Sequence, residues 1–306
     1  MDRPTTAPSH RIGVIGLGRM GLPICTRLAQ AGFAVVATDV RPQLADAALE
    51  AGARWAPSAG AVASDAEVVI TMLPGPGEVC SLIHEVTGTL APGATWIDMS
   101  TASPQVARAV ASAAGPRCVH VLDAPVGGGP EAARDGRLLS FVGGAERDLE
   151  AQRAVLATLA DRIVHVGPSG SGYAVKLLVN LLWFGQAVAT AEALTLAARV
   201  GIDLEVTLAS LGQSAAASSF IDHDAVALLR GDDMSSFSLA RCCEQLASVL
   251  ALGEELAVPL ELAAVVSGLH ARALERYGDL DGELLGARYV AERAGVNLSE
   301  AARPAS

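Results

Sequence analysis

Near the start of the chain a short apolar run passes directly into spaced glycines, in RIGVIGLGRMG, and no other stretch limits the possible folds as sharply. Gly16, Gly18 and Gly21 form G-x-G-x-x-G behind a strand pattern. The first glycine permits a tight turn, the second lets backbone approach a pyrophosphate, and the third lets the following helix pack on the strand. The helix N-terminus then faces the anion. Leu17, Arg19 and Met20 complete this cradle. A helical pattern runs to Gly32, and AVVATD supplies a second strand ending in Asp39, 23 residues beyond Gly16. At that spacing a carboxylate accepts hydrogen bonds from an adenosine ribose. Asp39 would repel a ribose 2′-phosphate, so NAD is the expected cofactor. Arg41 either pairs with such a phosphate or stands as a solvated loop residue, which leaves NADP open.

The rest of the chain extends that beginning into an α/β domain. RIGVIG, AVVATDV, VVITMLP, TWIDMS and VHVLDAP read as buried strands, each followed by a Gly/Pro turn or an Ala/Leu-rich helical stretch. The alternation indicates βαβ units and a parallel sheet. After GPSGSG the pattern is almost continuously helical, with breaks at VGID, LRGDDMSS, AVP and RYGDLDG. The expected architecture is a Rossmann-type N-terminal domain over residues 1–167, then an all-α domain over 168–306 entered through a long interdomain helix. The first ten residues have no apolar core and read as a flexible tail. LLVNLLWFGQAVATAEALTLAA is long enough to span a bilayer, but Asn180, Gln186 and Glu192 interrupt it, so a buried helix of a soluble protein is expected.

Composition excludes some functions. With 306 residues, 51% hydrophobic and 18% charged, the chain can bury a substantial core. A net charge of −11 disfavours a nucleic-acid partner. Cys25, Cys80, Cys118, Cys242 and Cys243 form no CxxC pair and no metal spacing, which suggests reduced thiols in a cytoplasm. DHD at Asp222–Asp224 lacks a second ligand cluster and reads as a solvated turn, so no metal is expected.

Three later stretches carry further chemistry. DMSTASP puts Ser100 and Thr101 at the end of a strand, where ligands gather in open α/β sheets. DAPVGGGPEAARDG exposes successive glycine N–H groups at another strand end, suited to a carboxylate. GPSGSGYAVKLLVN opens the long helix, with Lys176 and Asn180 one turn apart. Lys176 is the sole lysine; every other member of the 22 basic residues is arginine. Desolvation disfavours an ammonium, so a lysine among apolar neighbours is suited to exchanging a proton. Arginine stays protonated and cannot take that part.

From GVIGLGRMG through TMLPGPGEV, DMSTASP, DAPVGGG, FVGGAE and GSGYAVKLLVN, the chain resembles the β-hydroxyacid dehydrogenase family, which includes 3-hydroxyisobutyrate dehydrogenase, tartronate semialdehyde reductase and, more distantly, 6-phosphogluconate dehydrogenase. The resemblance implies hydride transfer between a nicotinamide and a small hydroxy acid, with Lys176 as general acid/base. By the same matching, Leu73, Pro74 and Thr101 are implied as contacts to the cofactor's nicotinamide half. Ser100, Gly128, Gly129 and Asn180 are implied as substrate contacts. A homodimer or homotetramer built on the long helix is implied too, with no membrane or nucleic-acid partner.

The match is imperfect. Gly127 stands where the family carries a serine, Leu181 replaces a second asparagine, and Glu244 and Gln245 replace a Lys-Asp pair, with Arg241 one turn away. These changes favour a larger or more apolar substrate. Imine reductases share the architecture but typically carry an aspartate or tyrosine in place of Lys176. A non-catalytic dinucleotide-binding scaffold is the third reading.

Overall fold

The computed structural model describes residues 10–302. The expected tail lies outside them, apart from His10, whose ring nitrogen lies 3.3 Å from the Glu67 carboxylate. The chain forms two compact units that divide between Leu177 and Leu178.

The first unit alternates strands and helices. In order these are β1 (Arg11–Ile15), α1 (Gly21–Gln30), β2 (Ala34–Thr38), α2 (Ala45–Glu50), β3 (Arg54–Trp55), α3 (Ala59–Asp65), β4 (Val68–Thr71), α4 (Pro76–Thr89), β5 (Thr95–Asp98) and α5 (Pro104–Ala114). There follow β6 (His120–Asp123), β7 (Val126–Gly127), α6 (Gly129–Asp135), β8 (Leu138–Gly143), α7 (Glu146–Leu159) and β9 (Ala160–Gly167). The sheet runs β3-β2-β1-β4-β5-β6-β8-β7, with β9 paired to β8. From β3 to β6 every pairing is parallel.

Side-chain alternation divides the core between the two sheet faces. Ile12, Val14, Val68, Ile70 and Ile97 pack in one cluster with Ile24, Leu28 and Leu156 of the helices. Ile15, Val69 and Trp96 pack in the other with Val62, Val79 and Val106. Strands buried on both faces read as continuous apolar runs, which explains why the sequence exposes them so plainly.

The far edge departs from the expected parallel sheet. β8 runs antiparallel to β6 and β7, and β9 then pairs parallel to β8. β9 is mostly solvent-facing, so no apolar run announces it.

The second unit is helical. α8 (Ser171–Val200) begins in the first unit and continues into this one, followed by α9 (Leu204–Gly212), a π-helical turn (Phe220–Asp224), α10 (Val226–Arg230), α11 (Leu239–Glu255), α12 (Glu261–Tyr277), α13 (Leu285–Arg293) and α14 (Leu298–Ala301). Asp203 caps α9 by accepting from the Val206 N–H at 2.9 Å, which explains the break at VGID. Within DHD, Asp222 and His223 are exposed as the sequence suggests, and Asp224 is the exception. Asp224 is half-buried and accepts from the Trp183 indole N–H at 2.7 Å.

α8 also differs from expectation. It is long and apolar enough to cross a membrane, yet only 33% of its most apolar window is buried within the chain. Leu178, Leu182, Leu196 and Val200 remain largely exposed. A helix apolar all round needs partners on every side, and α8 leaves one apolar stripe uncovered.

Candidate active site

The glycine loop joins β1 to α1 at the point where strand order reverses, with β2 on one side of β1 and β4 on the other. Ligands of open α/β sheets bind at such switch points. Gly16 has φ +94°, a left-handed value that favours glycine, and a Cβ there would overlap the Met72 carbonyl oxygen. A Cβ on Gly21 would overlap the Gly16 carbonyl oxygen, so α1 lies against the turn. Gly18 is different: a Cβ there would meet only the Arg41 guanidinium, at 3.9 Å. That opening lets backbone come close to a pyrophosphate. α1 starts without a side-chain cap or an acidic residue in its first turn, so its leading N–H groups suit an anion. The residues present therefore fit a dinucleotide.

Asp39 follows β2 and lies beside this loop. One carboxylate oxygen accepts from the Leu17 N–H at 2.7 Å, and the other from the Arg41 N–H at 2.9 Å. The Arg41 guanidinium forks onto both oxygens, at 2.9 and 3.2 Å. Burial pushes the Asp39 carboxyl up, but the Arg41 side chain and the two backbone donors outweigh it and hold the group below the ordinary range.

The ends of β4, β5 and β7 carry the next groups. Leu73 and Pro74 follow β4, Ser100 and Thr101 follow β5, and Gly128 and Gly129 follow the short β7. Ser100 is fully buried, and its hydroxyl accepts from the Leu73 N–H at 2.9 Å, tying the two strand ends together. Gly128 and Gly129 have φ of +112° and +70°, and together they turn the chain into α6.

Sequence reasoning missed two buried carboxylates, Asp98 and Asp123, which end β5 and β6 in register with each other. Asp123 accepts from the N–H groups of Gly170 at 2.7 Å and Tyr173 at 3.1 Å, clamping the start of α8. The Tyr173 hydroxyl donates to Asp98 at 2.8 Å, and Asp98 also accepts from the Ser100 N–H at 2.7 Å. Burial pushes the Asp98 carboxyl up, against the pull of its donors Ser100, Tyr173 and Thr71. Burial, then the adjacent Asp98 charge, raises the Tyr173 phenol well above its usual value. The available signal was an aspartate at the same place in DMST and DAPV. Tyr173 thus binds two strand ends to the first turn of α8, and Lys176, half-buried, lies in the next turn.

In the helical unit, Asn180 donates its amide N–H to the Gln245 side-chain oxygen. Arg241 pairs with Glu244 at 2.6 Å. The structure therefore groups the predicted residues into three sets: the loop with Asp39 and Arg41, the strand-end turns with the start of α8, and Asn180 among the helices.

Comparison with known proteins decides the relationship. The family described as the NAD binding domain of 6-phosphogluconate dehydrogenase matches residues 11–167. A second family, described as the NAD-binding region of NADP-dependent 3-hydroxyisobutyrate dehydrogenase, matches residues 170–286. The chain belongs to the β-hydroxyacid dehydrogenase family. A 2-(hydroxymethyl)glutarate dehydrogenase from Eubacterium barkeri is 32% identical over 263 residues, covering 85% of this chain and 87% of that one. The 3-hydroxyisobutyrate dehydrogenase of Pseudomonas aeruginosa is 39% identical over 206 residues, covering 66% of this chain and 69% of that one. The solved 3-hydroxyisobutyrate dehydrogenase of Mycobacterium tuberculosis, with L-serine, superposes with a TM-score of 0.84 at 28% identity, covering 94% of this chain and 99% of that one. Imine reductase from Myxococcus stipitatus shares the fold at 20% identity, with a TM-score of 0.65, covering 92% of this chain and 100% of that one. As a β-hydroxyacid dehydrogenase, the chain is a nicotinamide-dependent oxidoreductase acting on a small molecule.

Proposed function

We propose that this β-hydroxyacid dehydrogenase oxidises a 3-hydroxy acid, or reduces the matching carbonyl, with Lys176 as the general acid/base. The observation that carries the reading is the sole lysine of the chain, on the turn of α8 that follows the Tyr173 anchor. The bound dinucleotide supplies the hydride acceptor. Its adenosine end is assigned to Asp39 and the glycine loop (Gly16 to Gly21), and its nicotinamide half to Leu73, Pro74 and Thr101. The N–H groups of Gly128 and Gly129 are assigned to the substrate carboxylate. Lys176 takes the hydroxyl proton as the carbon is oxidised, and returns one in reduction. Ser100 and Asn180 are the remaining substrate contacts.

A Cβ on Gly127 would meet nothing within 4 Å. That space, together with the Gln245 acceptor on Asn180, supports a substrate bulkier than 3-hydroxyisobutyrate. In this reading residues 1–167 hold the dinucleotide, and residues 168–306 take the substrate and the partner subunit. The exposed stripe of α8 is assigned to a second copy of the chain, giving a homodimer or homotetramer in a cytoplasm.

The test is absorbance of reduced nicotinamide with NAD or NADP against 3-hydroxy acids of increasing bulk, and against cyclic imines. Turnover of a hydroxy acid supports the reading. Turnover of imines alone replaces it with imine reduction, and binding without any turnover replaces it with a scaffold.

A further inference from the structure

A cavity of about 860 Å³ opens in the helical unit between α9, the π-helical turn, α10 and α14. Small-molecule sites occupy roughly 300–1,000 Å³, and the proposed reaction uses none of the residues that line this one. Leu208, Ile221 and Leu229 supply an apolar wall continuous with the core of that unit. Charges stand at the two ends. α9 finishes at Gly212, where a Cβ would meet an Asp222 carboxylate oxygen at 3.3 Å, so Asp222 marks one end. Glu205 lies two turns back along α9, roughly 10 Å of helix. Arg230 closes α10, two turns beyond Asp222, beside Gly231, whose Cβ would meet the Ser299 hydroxyl at 3.2 Å. α9 packs against the π-helical turn and α10, so Glu205 and Arg230 share the opposite end. Among the described residues, none of these three charged groups has an ion-pair partner.

We propose that this cavity binds a basic α-amino acid, one whose side chain is an alkyl stem ending in a cation. The ligand carboxylate pairs with the Arg230 guanidinium, which suits two parallel hydrogen bonds. The α-ammonium pairs with Glu205, the stem lies along the apolar wall, and the terminal cation reaches Asp222. Two acids and one base in the protein thus meet two cations and one acid in the ligand, and every charge has a partner. A diamine would leave Arg230 unmatched, and an apolar amino acid would leave Asp222 unmatched. Gln213 and Ser299, the other polar residues of the lining, follow α9 and face Gly231, so they too belong to the ends. Between them the wall offers nothing to a peptide backbone, whose polar groups lose water on burial. That favours a free amino acid over a peptide.

Calorimetric titration of L-lysine into the full chain tests this, against three analogues that each lack one group. These are ε-aminocaproate without the α-ammonium, norleucine without the terminal cation, and cadaverine without the carboxylate. Wild type should bind lysine saturably and each analogue about two- to fivefold more weakly, the strength of one exposed ion pair. Glu205→Gln, Asp222→Asn and Arg230→Ala should weaken lysine by a similar factor. Each should leave unaffected the analogue that lacks the matching group: ε-aminocaproate, norleucine and cadaverine respectively. All three positions are exposed, so urea midpoints should hold. Ala209→Phe, which fills the cavity from an exposed position on α9, should abolish binding. Lysine held no tighter than its analogues, variants that weaken every probe alike, or binding that survives Ala209→Phe would each overturn the site. Tighter binding of N-acetyl-lysine amide than of lysine would replace it with a peptide site. Failure of wild type to bind lysine would overturn it and leave the dinucleotide assignment untouched.

Discussion

At the residue scale, the three loop glycines do different work, and alanine substitution separates them. Gly21→Ala places a methyl group against the Gly16 carbonyl, and overpacking of this kind costs about 1–3 kcal/mol. Its urea-unfolding midpoint should fall, and NAD binding with it. Gly18→Ala enters open space, so stability should hold while NAD affinity drops. Equal stability losses in the two variants would refute the distinction. Asp39 adds a pH dependence. Its folded-state pKa lies below the ordinary value, so its contribution is present above the unfolded pKa, about 3.9, and is lost as pH falls through the lower folded value. Because Arg41 is half-exposed, the effect should stay under about 1 kcal/mol. Asp39→Asn should show a correspondingly shallower loss of stability in acid, read by urea unfolding at neutral pH and just below the ordinary aspartate range.

At the element scale, α8 is anchored at its N-terminus by residues from two strands. Asp123→Ala would leave the Gly170 and Tyr173 N–H groups buried without an acceptor, costing about 2–4 kcal/mol. Asp123→Asn keeps one acceptor oxygen and should lose less. Since Lys176 lies one turn beyond, kcat should fall with Asp123→Ala more than NAD affinity does. Unfolding at wild-type urea concentrations in Asp123→Ala would contradict the anchor. This is also the scale at which the sequence is least informative. β1, β2, β4, β5 and β6 were legible because strands buried on both faces are unbroken apolar runs. β3 is two residues long and β9 is mostly solvent-facing, so neither leaves such a run. Asp98 and Asp123 look like loop acids in sequence, and only the in-register pairing of β5 with β6 shows them as buried anchors. The dinucleotide loop was readable because its chemistry is local, whereas the contacts of Asn180 with Gln245 and of Trp183 with Asp224 join distant segments.

At the scale of the whole molecule, the uncovered stripe of α8 bears on assembly. Leu178, Leu182 and Leu196 are 51%, 64% and 68% exposed in the single chain, an apolar surface that associating subunits commonly cover. Leu182→Glu should shift the protein toward monomer in analytical ultracentrifugation. An unchanged mass would place the subunit contact elsewhere. Single-turnover formation of reduced nicotinamide with wild type, Lys176→Ala and Lys176→Arg, at saturating NAD and a 3-hydroxy acid, isolates proton transfer at Lys176 from cofactor binding. Both variants should bind NAD as wild type does and lose about 10²–10⁴ in rate, the span of general acid–base catalysis, with arginine no better than alanine because it holds its proton. A hydride-transfer rate in Lys176→Arg close to that of wild type would show that proton transfer does not run through the one lysine in the chain.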